Sequence, residues 1–508
     1  MPEEWLGTPV VVSNSKSFSA TGKWIVITIL LVSIVLRWIL IFRGGQYYNS
    51  DETRYEVPRE AARLLIRGHW GEALQQFTLS PEHLGFKVIG ILPALVEQVT
   101  GPSLAMPAMF FSLFSVLNLY IIFLLSRAAS ASSTEALIAL TFAASSQSLL
   151  YYSRHLFPYD VSLSFGLLAL YIPLVREQPV KTSLLCGSLS FLCFVTYNGY
   201  WPLAGFAMLA HPLRNGKELS GILRKAIITG AGFVMPLAFL IGAMLLFGKD
   251  MISAYQLFAT SITQGLFEEG WSIPFEYFWY TEGAVFLIMT VLAILAILRR
   301  YKDQRRDTYL WVWGILFIYL CLVIPSLAEY FVVYARLARQ LLPFLILLAA
   351  QGLIHLEKRV VYGRQVTQFI FVVILVQAVW NFAAAYRVGF PRDFAVEAQA
   401  RFPGFEFSSK RLAYGAPVIC QHNGYMIENT KFYVAPPQRI PQVKGQLLLS
   451  VPHPTTFLPY LYEGDPPDFR KAYRTLKLQM NFYKADQGFM SESNPVWTAI
   501  ENCVVREK

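Results

Sequence analysis

Long apolar blocks constrain this sequence more than any other feature. Of its 508 residues, 55% are hydrophobic and 15% are charged, and the apolar residues form runs close to the length that crosses a bilayer. Helices that are apolar all round need an apolar environment on every side, so many such runs cannot be buried in one soluble core. The sequence therefore predicts a polytopic α-helical membrane protein.

Eleven runs are predicted to cross the membrane. A twelfth, 84–100, contains Lys87, Pro93 and Glu97 within 17 residues. At about 1.5 Å per residue it would barely cross a core about 30 Å thick, so we expect it to lie in the interface. The predicted crossings are 24–42, 104–126, 135–151, 160–175, 182–197, 199–213, 222–247, 282–298, 308–326, 337–356 and 365–387.

The distribution of Lys and Arg predicts the orientation. With 84–100 outside the count, the basic run "RRYKDQRR" at 299–306 and most other loop cations face the cytoplasm, as positive-inside topology requires. Residues 1–23, which lack a cleavable signal pattern, are then cytoplasmic. The membrane domain is predicted to span 24–387, with outer loops at 43–103, 152–159 and 248–281. Residues 388–508 are predicted to lie outside.

The net charge of +10 follows from these cytoplasmic loops, so no nucleic-acid partner is expected. From about residue 388, prolines, charges and short apolar runs such as "APVIC" and "GQLLLSVP" replace the long blocks. They predict short strands, and "DFRKAYRTLKLQMNFYKA" (468–485) predicts a helix near the end. We therefore expect a small extracytoplasmic α/β domain.

Asp51 and Glu52 are adjacent acids just after the first apolar run, with Tyr55 nearby. A carboxylate near the low-dielectric boundary gains basicity and can act as a general base. The same acids could instead cap the amphipathic helix that follows. The residues alone leave both interpretations open.

The second outer loop reads "YYSRHLFPYD". Its Arg154 and His155 could bind an anion, such as the phosphate of a donor. Asp160, at the start of the next helix, could be catalytic or could be an ordinary first-turn acid.

A third candidate segment is "YARLARQLLP", which begins at Tyr334, a candidate substrate contact. Arg336 and Arg339 are three residues apart at the outer end of a membrane helix, a spacing that suits a phosphate clamp. The alternative is that both snorkel towards lipid headgroups.

Further candidates lie in the first and third outer loops. Lys87 could hold a phosphate and His83 could orient it, although Lys87 could also simply anchor an interfacial helix. Glu268 and Glu269 lie among aromatic residues that suit a sugar ring. No histidine pair or cysteine cluster has metal-binding spacing, and no glycine-rich nucleotide motif occurs.

Taken together, the acid pair, the long first loop with two interfacial helices, "RHLFPYD" and "ARLARQLLPFLILLAAQGL" resemble the integral-membrane glycosyltransferases of the C-type fold. In particular they resemble the protein O-mannosyltransferase and lipid A aminoarabinose transferase superfamily. The resemblance covers roughly residues 24–387. One departure is "HLGFKVIGILP", where family members often have a lysine or histidine followed by two prolines.

The resemblance implies that a sugar, hexose or pentose, moves from a polyprenyl-phosphate carrier to a lipid, glycan or protein acceptor on the outer face of the cell membrane, with inversion. It implies a catalytic or acceptor-orienting role for Asp51, with Glu52 beside it, and makes Asp160 the second-loop acid. Lys87, Arg336 and Arg339 match positions that hold the carrier phosphate. Because relatives differ in metal use, the need for a divalent metal stays open.

Two other functions fit the composition. A lipid or polysaccharide transporter predicts ionisable residues near helix midpoints and two related halves. A membrane-bound assembly or binding protein, whose outer domain does the work, predicts that Asp51→Asn is harmless.

Overall fold

The computed structural model describes most of the membrane region and the strands of the C-terminal part. The described residues are 19–44, 46, 50–78, 82–103, 105–130, 132–176, 178–214, 218–248, 250, 253, 256, 272–303, 306–328, 335–387, 397–407, 418–422, 425–429, 445–452, 479–486 and 505–507.

Helices dominate up to residue 387. The α-helices are α1 (Ala20–Arg43), α2 (Glu56–Ile66), α3 (Trp70–Thr78), α4 (Leu84–Thr100), α5 (Ala105–Ser130), α6 (Ser133–Ser145), α7 (Gln147–Tyr151), α8 (Tyr159–Val175), α9 (Pro179–Thr196), α10 (Trp201–Arg214), α11 (Leu219–Leu246), α12 (Ile273–Glu282), α13 (Ala284–Asp303), α14 (Arg306–Leu327), α15 (Leu342–Arg359) and α16 (Gly363–Arg387). Short 3-10 helices occupy Ser50–Tyr55, Tyr152–Arg154, Asn198–Tyr200 and Ala335–Leu341.

Seven helices in the described residues are long and apolar enough to cross a membrane, and an eighth span arises if the bent pair α12–α13 is counted as one. The bend between α12 and α13 is 119°. It falls at Gly283, whose φ of 55° is a left-handed conformation that glycine adopts without steric cost. The chain is thus a multi-pass membrane protein.

Each predicted crossing coincides with a helix, but three of these helices are short. α6 ends at Ser145, and a single residue separates it from α7, while α8 and α10 have 17 and 14 residues. At about 1.5 Å per residue, the 14 residues of α10 extend about 21 Å. The number of eleven crossings therefore stays a prediction. The doubtful run 84–100 forms α4, with Pro93 inside it.

The core of the bundle is built around α15. Of the candidate spans in the described residues, the one that contains α15 is the most buried, at 89% of its apolar window. It packs against α6, α13 and α14. At the edge of the bundle, α9 and α11 approach closely because Gly187 and Gly232 face each other's helix backbone, where a Cβ would overlap a carbonyl oxygen.

The described C-terminal residues contain β1 (Phe405–Phe407), β2 (Val418–His422), β3 (Tyr425–Asn429), β4 (Gly445–Pro452), β5 (Gln479–Ala485) and β6 (Val505–Glu507). Four of them form an antiparallel sheet in the order β2-β3-β5-β4, and β1 pairs with β6. The runs "APVIC" and "GQLLLSVP" predict β2 and β4 correctly.

The helix predicted over 468–485 is wrong in its last part, because 479–485 is strand β5. Pairing with β3 and β4 on both sides buries Phe482, and this tertiary context outweighs the helix propensity of the segment. Residues 468–478 lie outside the described part of the chain.

Candidate functional site

The ends of several helices meet at one end of the bundle, where Arg154 ties them together. Its Nε donates to the carbonyl oxygen of Gly44, just after α1, at 3.0 Å. Its Nη1 donates to the carbonyl oxygen of Ala385, near the end of α16, at 2.9 Å. The guanidinium is fully buried. Arg154 thus stabilises the frame of the site, and its predicted contact with a donor phosphate stays a prediction.

Glu52 links the Ser50–Tyr55 turn to residues of the predicted second outer loop. Its carboxylate accepts a hydrogen bond from the backbone N–H of Leu156 at 2.9 Å and lies 3.1 Å from Nδ1 of His155. It is fully buried, and α2 has no side-chain hydrogen bond at its N-cap residue, Tyr55. Glu52 therefore does not cap α2. Asp51 lies in the same turn, but its side chain is outside the described part of the structure.

Asp160 forms a buried ion pair with Arg339. Nη2 of Arg339 donates to Oδ1 of Asp160 at 2.6 Å, and the two side chains are 0% and 7% exposed. The guanidinium carbon also lies 4.7 Å from the ring centroid of Tyr152. Because Arg339 is buried, it does not snorkel towards headgroups. The pair joins residues 179 positions apart and holds the first turn of α8 against the Ala335–Leu341 turn.

A second cluster, which we call the cation cluster, consists of Arg54, His83, Lys87 and Arg336. His83 and Lys87 are 2% and 1% exposed. Burial lowers the pKa of His83 well below its ordinary value, and the positive charges of Arg54, Lys87 and Arg336 lower it further. Three elements that are distant in sequence therefore bring cations to one imidazole.

Lys87 belongs to the first turn of α4, and its environment reduces its proton affinity. Burial lowers its pKa to about 8; Arg54 adds to this shift and Glu82 opposes it. Lys87 is too buried to be a headgroup anchor that extends into water.

His83 is the non-glycine residue with a positive φ, 56°, in the described part of the chain. A left-handed conformation is costly for a residue with a side chain and persists only where the surroundings hold it. The His83 ring packs 5.1 Å from the ring of Tyr197, and the Tyr197 hydroxyl accepts a hydrogen bond from Nε of Arg336 at 3.3 Å. Tyr197 thus connects two members of the cation cluster.

Tyr159 lies next to both the cation cluster and the ion pair. Its ring packs against Tyr197 at 4.8 Å, with Arg336 at 5.7 Å and Arg339 at 5.9 Å from its centroid. The two charged groups therefore share one tyrosine.

Tyr55, predicted as a substrate contact, belongs to a buried polar network. Its hydroxyl donates to Oε2 of Glu97 at 3.2 Å, and Arg59 pairs with Oε1 of Glu97 at 3.0 Å. Burial and the nearby Glu97 charge raise the pKa of Tyr55, so its hydroxyl stays protonated. This network holds α2 against α4.

Three predicted site residues, Glu268, Glu269 and Tyr334, lie outside the described residues. Sequence reasoning missed Arg54 and Tyr197. It also missed Glu282, which accepts hydrogen bonds from the backbone N–H groups of Gln147 and Ser148 at 3.1 and 3.0 Å and so caps α7. These contacts join distant segments, so no local pattern indicates them.

In the part of the chain that the structure describes, no three His, Cys, Asp or Glu side chains come together as a metal-binding group. The need for a metal therefore stays open.

No family model and no curated protein matches this sequence. Solved structures of an oligosaccharyltransferase from the archaeon Archaeoglobus fulgidus are similar to it. One, in complex with an inhibitory peptide and a dolichol-phosphate, has a TM-score of 0.45 and 12% identity over 72% of this chain and 56% of that one. The apo form has a TM-score of 0.45 and 13% identity, over 73% and 56%. A complex with Zn and sulfate gives 0.43 and 13%, over 74% and 55%. This chain thus matches little more than half the length of that enzyme.

Proposed function

We propose that this protein is a membrane glycosyltransferase that moves a sugar from a polyprenyl-phosphate carrier to a lipid, glycan or protein acceptor on the outer face of the membrane. The observation that carries the proposal is the cation cluster, in which the charges of Arg54, Lys87 and Arg336 all act on the buried His83 at one end of a membrane helix bundle. The sequence resemblance to C-type-fold glycosyltransferases points to the same chemistry.

The charge of the cation cluster suits a phosphate. Three cations from three elements form a site for the oxygens of a carrier phosphate, and the burial of Lys87 strengthens its interaction with an anion. His83 stays neutral at physiological pH because its pKa is lowered, so it serves as a hydrogen-bonding group and not as a fourth charge. The same cations stabilise the phosphate as it leaves with a growing negative charge.

In the proposed reaction, a hydroxyl or amine of the acceptor attacks the anomeric carbon of the sugar. The bond from that carbon to the phosphate oxygen breaks, its electron pair stays on the phosphate, and Asp51 accepts the proton from the nucleophile. Attack from the side opposite the leaving phosphate inverts the anomeric centre. Glu52 supports this step by fixing the turn that carries Asp51 to Leu156 and His155.

Asp160 and Arg339 have a positioning role in this proposal. The Asp160 carboxylate accepts a hydrogen bond from Arg339, and the pair fixes the first turn of α8 to the Ala335–Leu341 turn. Through Tyr159, the pair also holds the wall against which Arg336 lies. Arg154 and His155 keep the surrounding helix ends in place.

The transporter hypothesis predicts charges near helix midpoints. In the described residues, Asp160–Arg339, Arg59–Glu97 and Glu52–His155 instead involve helix ends and the short turns between helices. This placement favours chemistry at one face of the membrane over passage through it.

The test is a turnover assay with purified protein in lipid nanodiscs, a panel of polyprenyl-phosphate sugars and membrane acceptor extract. Wild type is expected to release free carrier phosphate, and Asp51→Asn, which keeps the shape of the side chain, is expected to lose activity by roughly a hundredfold or more. Glu60→Gln, on the exposed face of α2, is the matched control. Equal turnover by Asp51→Asn and wild type would remove Asp51 as the base.

The orientation can be tested separately with single cysteines. A cysteine at position 302, in "RRYKDQRR", is expected to react with an impermeant thiol reagent only after cells are permeabilised. Reaction in intact cells would overturn the eleven-crossing topology.

A further inference from the structure

Helix α4 is amphipathic in an unusual sense. Its charged residues Lys87 and Glu97 are 1% and 3% exposed and face the protein. Its aliphatic residues Val88, Leu92 and Val96 are 49%, 59% and 49% exposed. A helix that buries its charges and exposes its aliphatic side chains has an apolar environment on its outer side. We call these three residues, together with Val99, which is 85% exposed, the α4 stripe.

The α4 stripe is continuous. Its first three members are spaced four residues apart, and Val99 follows three later, so all four lie on one helical face. From Val88 to Val99 the stripe extends about 16 Å along the helix axis. The neighbouring face of α4 is covered, because Leu84 and Ile91 pack in a cluster with residues of α9 and α11.

One end of the stripe lies at the cation cluster. Lys87 directly precedes Val88, and His83 directly precedes α4. The other two cations lead into buried faces: Arg54 is followed by α2, where Pro58, Ala61 and Ala62 are buried, and Arg336 by α15, which is the bundle core. Three segments carry the cations Arg54, Lys87 and Arg336. Of these, α4 is the one in which a row of exposed aliphatic side chains starts next to the cation cluster.

We propose that the α4 stripe binds the isoprenoid tail of the carrier lipid, with the carrier phosphate in the cation cluster at its N-terminal end. This inference rests on the proposed function. The match is one of shape and charge: the ligand is an anionic head on a long aliphatic chain, and the protein offers cations followed at once by a linear aliphatic surface.

The direct test is photo-cross-linking of the full-length protein in lipid nanodiscs that contain undecaprenyl phosphate. A photoreactive benzoylphenylalanine is placed at Leu92 or Val96 and, as controls, at Met235 or Phe239 on α11. These controls are 67% and 80% exposed and lie on an equally apolar surface of a helix that carries no member of the cation cluster. We expect undecaprenyl phosphate adducts at the stripe to exceed those at α11 at least fivefold, and to decrease when Lys87→Met is combined with the label.

Equal adduct yields at the stripe and at α11, or yields at the stripe that do not respond to Lys87→Met, would show that ordinary bilayer lipid covers α4 and would overturn the inference. A second measurement uses chain length. The double variant Leu92→Ser, Val96→Ser is expected to weaken the binding of undecaprenyl phosphate roughly tenfold. The binding of the short, water-soluble farnesyl phosphate should weaken by less than about threefold. Equal losses for both lipids contradict the tail site.

Failure of this inference is distinguishable from failure of the proposed function. If farnesyl phosphate binds wild type and is lost in Lys87→Met, but the stripe gives no specific adduct, the phosphate site stands and the tail lies elsewhere. If neither lipid phosphate binds wild type, the proposed function fails as well.

Discussion

The cation cluster and the Asp160–Arg339 ion pair each place an arginine near the Tyr159 ring, at 5.7 and 5.9 Å from its centroid, yet their charges are arranged differently. Arg339 is matched by a carboxylate at 2.6 Å, so the pair is neutral as a unit. In the cation cluster, burial lowers the pKa of His83 and three positive charges lower it further. A neutral buried pair fixes two elements to each other, whereas cations from three elements that act on one imidazole can bind an anion.

This difference predicts that the ion pair stabilises the fold and that the cation cluster binds an anion. Breaking a buried pair leaves one charge uncompensated, which destabilises the fold. Removing a cation from a like-charged group relieves repulsion and burial cost, so the fold is preserved while anion affinity falls. Mutations of the ion pair should therefore lower stability, whereas mutations of the cation cluster should lower anion affinity and preserve the fold.

The largest expected effect comes from Asp160→Ala, which strands the buried Arg339. We expect a loss of about 3–5 kcal/mol in the free energy of unfolding, measured by thermal or denaturant unfolding in detergent. Glu60→Ala removes the exposed partner of Arg63 and should cost at most about 1 kcal/mol. Similar losses for the two variants would show that the ion pair is not a structural link.

The second effect concerns Lys87→Met, a substitution of similar length without charge. Stability at neutral pH should be equal to or greater than that of wild type, because a buried cation with a lowered pKa is removed. Affinity for undecaprenyl phosphate should fall by about 1.5–3 kcal/mol, roughly ten- to a hundredfold. If Lys87→Met unfolds, and the protein that remains folded binds with unchanged affinity, then Lys87 stabilises the fold and does not bind the phosphate.

The third effect is a pH dependence that belongs to the cation cluster alone. The pKa of Lys87 falls from 10.5 to about 8 in the folded protein, so between these values the unfolded chain binds more protons. The contribution of Lys87 to stability therefore rises with pH across that window. Phosphate binding behaves in the opposite way, since it needs the charged amine and should weaken as pH rises through about 8.

Lys87→Arg separates this charge from other titrating groups. Arginine keeps its charge throughout, so the affinity for phosphate lipid should no longer fall near pH 8. The measurement is the dissociation constant for farnesyl phosphate from pH 6 to pH 10 in both proteins. A fall at the same pH in both would assign the titration to another group.

The smallest effect is expected at Tyr197, which links His83 and Arg336 within the cation cluster. Tyr197→Phe keeps the ring and removes the acceptor for Arg336 Nε, so phosphate-lipid affinity should fall by about 0.5–1.5 kcal/mol. Tyr200→Phe, in the neighbouring 3-10 turn, is the control. If both variants lose the same affinity, Tyr197 acts through general packing.

Sequence patterns predicted the helices well because long apolar runs occur where a helix is surrounded by an apolar environment. They indicated Lys87, His83 and Arg336 through their types and positions near helix ends. They did not indicate that Asp160 pairs with Arg339, since that contact depends on how α8 and α15 pack.

Other features were hidden for related reasons. Arg54 looks like one of several arginines on an amphipathic helix, and only folding brings it near His83. The strand at 479–485 has a helix-like composition, and pairing on both sides determines its conformation. No local sequence pattern predicts the positive φ of His83, because glycine or asparagine usually occupies such a position.

The central claim is that the cation cluster holds the phosphate of a polyprenyl carrier. It is tested most directly by titrating undecaprenyl phosphate into wild type and into a variant with Arg54→Gln, Lys87→Met and Arg336→Gln together, in the same nanodiscs and with folding checked by unfolding temperature. Arg63→Gln, Arg67→Gln and Arg401→Gln together, at exposed positions outside the cluster, control for the loss of three positive charges. Saturable binding to wild type and to the control, with binding to the triple variant lost by at least a hundredfold, is the predicted result. Equal affinity in all three proteins would contradict it.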